Sequence, residues 1–155
     1  MEILGSIISV GVILGVFIGI RHWGHYRFKK AFESAQEALQ TQDFEAAEKH
    51  LRKCVKIVPL AVPVRTMLGG VLARNRKLKE AEEHMQMAAE LQPRNAEGQL
   101  MLGVFYASVF DDRREDAFAA LERAVDLDPN IRGRVAQQEG LDAIRDEPRF
   151  KELVA

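Results

Sequence analysis

The hydrophobic pattern of the chain changes character once. From Ile3 to Ile20 there is no charged residue, and a helix through these residues extends about 27 Å, close to the thickness of a bilayer's hydrocarbon core. This run predicts a transmembrane helix over residues 1–20. A cleaved signal peptide fits less well, because Met1 and Glu2 stand where a basic n-region is needed and no A-x-A follows the run. From residue 29 onward charges return and Ala, Leu, Glu, Lys, Arg and Gln dominate. These residues lose little entropy in a helix, so the remainder is expected to be all-α.

Residues 21–27 read as a basic and aromatic linker at the membrane interface. Arg21, Arg27, Lys29 and Lys30 follow the span and no basic residue precedes it, which places the C-terminal part in the cytoplasm by the positive-inside rule. Trp23 and Tyr26 suit the headgroup layer, with the ring body toward lipid and the polar tip wet. His22 and His25 are spaced i, i+3, but without a third ligand nearby they predict no metal site. Within the span, Gly11, Gly15 and Gly19 fall at four-residue intervals and form overlapping G-x-x-x-G motifs. Such a smooth face lets a second copy of the chain or a helix of another protein approach closely.

After the span, small residues recur with a period near 34. Residues 28–61 carry Ala35, Ala47, Leu51, Cys54 and Pro59. Residues 62–95 carry Gly69, Ala81, Met85, Ala88 and Pro93 at the same spacing. Residues 96–131 carry Leu102, Gly103, Tyr106, Ala117, Leu121, Ala124 and Pro129, with two extra residues around Asp111 to Arg114. Small residues at fixed places suit close contacts between helices, where a larger side chain would push the pair apart, and a proline cannot continue a helix. Each hairpin is too small to bury its own apolar face and depends on its neighbour. Residues 132–155 read as a cap, with Leu141, Ile144, Phe150, Leu153 and Val154 apolar and Pro148 opening a short last helix.

This register resembles the tetratricopeptide repeat, and L-G-x-x-Y at Leu102, Gly103 and Tyr106 matches the first helix of that family. The first repeat departs most, with Ala38 where the family often has an aromatic residue. The resemblance implies a right-handed α-solenoid of three helix hairpins, 28–61, 62–95 and 96–131, followed by capping helices. The ending LDAIRDEPRF is similar to those of many bacterial members, which implies a bacterial inner membrane.

Charge and chemistry narrow the function. The net charge of −1 offers no excess to neutralise phosphates, so nucleic acid is not an expected partner. Cys54 is the one cysteine, which rules out an internal disulfide and points to a reducing compartment; it reads as a small core residue. His50 and His84 stand one repeat apart and read as helix-surface residues. The pairs Glu82-Glu83 and Asp111-Asp112 read as solvated charges. No constellation for catalysis, metal or cofactor emerges, so the chain is not expected to be an enzyme.

The family resemblance implies that first helices line a concave groove, and its register assigns Phe32, Gln36, Thr66, Met67, Gly70, Leu100, Met101 and Val104 to it. The basic residues with which some members clamp acidic tails are absent from Phe32, Gln36, Met67, Glu97 and Met101. Adaptable methionines suit an apolar or amphipathic helix of a partner protein, itself membrane-associated. The expected function is therefore a single-pass, membrane-anchored scaffold, held in lipid by residues 3–20. The alternative is an accessory subunit of a membrane complex held through Gly11, Gly15 and Gly19, its repeats covering a cytoplasmic surface; for the groove itself, the competing reading is that it closes on itself or is filled by the C-terminal tail.

Overall fold

The computed structural model describes residues 23–155, and the described residues contain helices and turns but no strand. The expected span and its glycine face at Gly11, Gly15 and Gly19 lie outside them. Among the described residues, no helix is long and apolar enough to cross a membrane. The chain divides into two compact units that part between Pro59 and Leu60.

The first unit contains one hairpin. Helix α1 covers residues 23–40 and α2 is Phe44–Ile57. Of the interfacial segment expected over 21–27, residues 23–27 are described and are helical, continuous with the rest of α1. Side-chain pairs four apart hold those turns: the Arg27 guanidinium sits 4.8 Å from the centre of the Trp23 ring, and Phe28 stacks on Phe32 at 6.0 Å. Trp23 and Tyr26 remain largely exposed. Inside the hairpin, Ala31, Ala35, Ala38, Ala47, Leu51 and Cys54 form the buried seam. Cys54 is fully buried, and desolvation pushes its thiol pKa upward, as a core residue requires and a nucleophile does not.

The second unit contains two hairpins and a cap. Helices α3 (Val62–Arg74) and α4 (Leu78–Leu91) form one, and α5 (Ala96–Val109) and α6 (Arg114–Leu127) the other. The crossings fall where the small residues predicted. A Cβ on Gly69 would stand 2.7 Å from Met85 Cγ, and one on Gly103 would stand 2.7 Å from Leu121 Cγ and 3.1 Å from the Ala117 carbonyl. Each second helix ends two residues before its proline, at Ile57, Leu91 and Leu127, because proline disfavours helical backbone in the residue before it.

The two extra residues of the third repeat are shared between helix and turn. Helix α5 has 14 residues against 13 in α3, and its turn is one residue longer. The tighter turns of the first two hairpins are closed by Gln42 and Arg76 at φ 57° and 60°, in the left-handed region. The longer third turn needs no such residue.

The cap begins with a 3₁₀ turn at Pro129–Ile131, continues as α7 (Arg132–Gln137) and ends in α8 (Pro148–Val154). Ile131, Val135, Leu141, Ile144 and Phe150 are buried. Arg149 ties α8 to α6: it forks onto Glu122 at 2.6 and 3.0 Å, reaches Glu115 at 2.8 Å, and lies 4.6 Å over the Phe118 ring. The bonds to Glu122 and Glu115 raise its pKa, so its charge is permanent. Arg145 holds the intervening loop by donating to the carbonyls of Ala136 and Gln138.

Candidate functional site

A cleft of about 800 Å³ opens between α3 and α5 in the second unit. Its floor is apolar, made by Met85, Met101, Val104 and Phe105, and Thr66, Gly70 and Ala73 form the α3 wall. The Thr66 hydroxyl donates to the Val62 carbonyl at 3.2 Å, so its polar group is satisfied within its own helix. Gly69 and Gly70 are neighbours with opposite roles. Gly69 is jammed against Met85, whereas a Cβ on Gly70 would meet nothing within 4 Å. Gly70 therefore widens the cleft without being needed for helix packing.

Of the groove residues expected from sequence, the structure brings together Thr66, Gly70, Met101 and Val104. Met67 is half-buried and does not border the cleft. Leu100 is fully buried, which corrects its assignment to the groove surface. The reason lies in α5, whose buried residues, among them Leu100, Gly103 and Phe105, are spread around most of its circumference. Phe32 and Gln36 belong to the first unit, where Phe32 stacks on Phe28 and Gln36 is exposed.

Sequence reasoning missed Arg74, Arg76, Leu78, Phe105, Ser108 and Val109, which also line the cleft. They share the end at which first helices turn into second helices, so the cleft extends further toward those turns than the family register implied. The C-terminal tail forms part of the surroundings. Gly140, at φ 84°, brings its backbone so close that a Cβ would stand 3.2 Å from Val104 Cγ1 and 3.4 Å from Ser108 Cβ. Arg134 pairs with Glu97 at 2.6 Å. The tail thus covers part of α5 and leaves the cleft toward α3 open.

Elsewhere, α4, α5 and the third turn share a polar cluster. Tyr106 donates to Glu82 at 3.2 Å, Gln86 donates to the Tyr106 oxygen at 2.8 Å, and Arg113 pairs with Glu82 at 3.0 Å while lying 4.9 Å over the Tyr106 ring. Burial, and beyond it the Glu82 charge, hold the Tyr106 pKa above its ordinary value against the opposing Gln86 bond. Glu82 is therefore a joint between hairpins, a correction to its reading as a solvated charge; Asp111 and Asp112 are exposed. His84 is likewise not a plain surface residue, since its Nδ1 lies 3.2 Å from Arg65. Among the described residues, no group of His, Cys, Asp and Glu is placed to hold a metal.

A family model described as tetratricopeptide repeat matches residues 31–59, within the first hairpin. The fold is that of the tetratricopeptide repeat. The match falls on the repeat that departs most from the family at Ala38. Its structural relatives agree: the crystal structure of MamA has a TM-score of 0.63 at 19% identity, covering 82% of this chain and 76% of that one. The TPR2B domain in its pHsp70 complex from yeast Sti1 has a TM-score of 0.62 at 16% identity, with coverage of 82% and 95%. A further structure, MamA MSR-1 C2, has a TM-score of 0.57 at 23% identity, covering 66% of this chain and 58% of that one. A curated relative, UDP-N-acetylglucosamine--peptide N-acetylglucosaminyltransferase of Giardia intestinalis, is 33% identical over 82 residues. That stretch is 53% of this chain and 5% of the enzyme's length.

Proposed function

We propose that this tetratricopeptide-type chain is a non-catalytic scaffold whose cleft between α3 and α5 holds an apolar or amphipathic helical segment of a partner protein. The observation that carries the reading is the cleft itself. At about 800 Å³ it falls within the range of specific binding sites, its floor is apolar, and its own tail leaves it open. Met101 and Thr66, both half-buried, border it. Residues 3–20 anchor the scaffold in a membrane with the repeats on the cytoplasmic side, in a bacterium the inner membrane. The uncharged run and the basic residues after it support this, and the anchor raises the effective concentration of the cleft toward membrane-associated partners.

The test is a pull-down of crosslinked full-length chain from native membranes, comparing wild type with Thr66→Glu/Met101→Glu. Each new carboxylate would be desolvated under a docked apolar segment, at a cost of several kcal/mol, so partners of the cleft are expected to be lost while circular dichroism stays unchanged. The spacing of Gly11, Gly15 and Gly19 supports a second reading, an accessory subunit held through its span. If the glutamate pair folds and keeps every partner while Gly15→Leu/Gly19→Leu loses them, the scaffold reading fails and the second replaces it.

A further inference from the structure

We infer that the segment bound in this cleft carries acidic side chains beside its apolar ones, and that Arg76 reads them at the lip where α3 turns into α4. The inference rests on the cleft being the partner site and names the chemistry of the partner. Every charged residue lining the cleft is an arginine, Arg74 or Arg76, and no carboxylate lines it. The Glu97 carboxylate on α5 is already taken by Arg134. A guanidinium at the edge of an apolar floor favours a planar carboxylate, which it can meet with two parallel hydrogen bonds.

The two arginines have different reasons to be there. Arg74 occupies the last turn of α3, where a cation also complements the helix dipole. Arg76 lies beyond the helix, exposed, with its backbone at φ 60°, a conformation that glycine adopts at lower cost. Nor does the turn require an arginine, since Gln42 closes the matching turn of the first hairpin in the same conformation. The backbone therefore does not account for a guanidinium at position 76, and its place in the lining does. Adaptable Met85 and Met101 beneath it accept varied apolar groups, so the charge at the lip supplies the discrimination that the floor lacks.

The experiment uses the full chain in detergent micelles and three fluorescein-labelled synthetic peptides read by fluorescence anisotropy. The peptides share one amphipathic helical pattern of Leu and Met and end in three Glu, three Gln or three Lys. The glutamate peptide is expected to bind about tenfold tighter than the glutamine peptide at about 50 mM NaCl, with the lysine peptide weakest and the gap narrowing at about 300 mM. Arg76→Gly, whose backbone fits the turn better than arginine's, is expected to remove most of that gap while leaving the glutamine peptide within about twofold. Equal binding of glutamate and glutamine peptides, or a gap that survives Arg74→Gln/Arg76→Gln, overturns the inference and leaves the cleft reading standing. Binding of none of the peptides, or binding that Thr66→Glu/Met101→Glu leaves unchanged, overturns the cleft reading and this inference with it.

Discussion

Replacing Gly103 by alanine adds one methyl group where α5 crosses α6, and the surroundings decide its cost. The new Cβ would stand 2.7 Å from Leu121 Cγ and 2.8 Å from its Cδ2, with the Ala117 carbonyl at 3.1 Å. Leu121 branches at the atom in conflict and is fully buried, so no rotation of a distal group relieves the clash and the helices must separate. Overpacking of this kind costs about 1 to 3 kcal/mol, from which roughly 1 kcal/mol of helix preference for alanine over glycine is recovered. A net loss of up to about 2 kcal/mol follows, and the branched, fully buried Leu121 places the expectation toward the upper end, a fall in Tm of several degrees. Gly69→Ala provides the internal comparison. Its Cβ also meets a side chain at 2.7 Å, but the atoms are Cγ and Sδ of Met85, an unbranched residue that borders the cleft and can swing its thioether into it. That substitution is expected to be close to neutral in Tm. Thermal unfolding of both full-length variants by circular dichroism at 222 nm measures the difference. Equal melting temperatures for the two, or a Gly103→Ala protein as stable as wild type, would show that the crossing geometry is wrong.

Further outcomes are expected from the cap, the turns and the N-terminal segment. Arg149→Ala removes the fork onto Glu122, the contact with Glu115 and the stack on Phe118; about 1 kcal/mol is lost with the partly exposed pairs and the ring contact each contributing at the low end, and amide exchange in α8 should accelerate more than in α3. Gln42→Gly and Arg76→Gly each relieve a left-handed backbone, and each should raise stability by about 0.5 to 1 kcal/mol in denaturant titration; a loss from both would mean that the side chains, not the turns, dominate there. A reporter active only outside the cytoplasm, fused after Ala155, is expected to stay silent, and activity would reverse the proposed orientation.

What the sequence disclosed follows from how local each constraint is. Gly69, Gly103 and the prolines at 59, 93 and 129 were legible because a helix crossing or a helix end is decided within one hairpin, over fewer than about forty residues in the repeat families. Thr66, Gly70, Met101 and Val104 came with that register. Leu100 did not, although it sits beside Met101, because its fate depends on how completely the rest of the unit encloses α5. The Gly140 turn lands on Val104 and Ser108 from the far end of the chain, and no spacing in the sequence specifies that landing. Glu82 shows the same limit in polar form. Beside Glu83 it looks like one of two solvent-facing charges, yet Arg113 reaches it from the turn of the next hairpin and Tyr106 from α5. The pair differs only in which direction each points around α4: Glu83 is exposed and Glu82 is not.

That distinction bears on the cleft itself. Arg74 and Arg76 escaped the sequence reading because a family register fixes which face of a helix is inward but not how far along the helix the open space runs, and here it runs to the turn. The tail approaches the same stretch of α5 through Gly140, which faces Val104 and Ser108, so the residues that confer charge on the site and the tail residue beside it are separated by more than half of the second unit. A register can therefore locate the floor of such a cleft, while the groups at its lip have to be read from the packed structure.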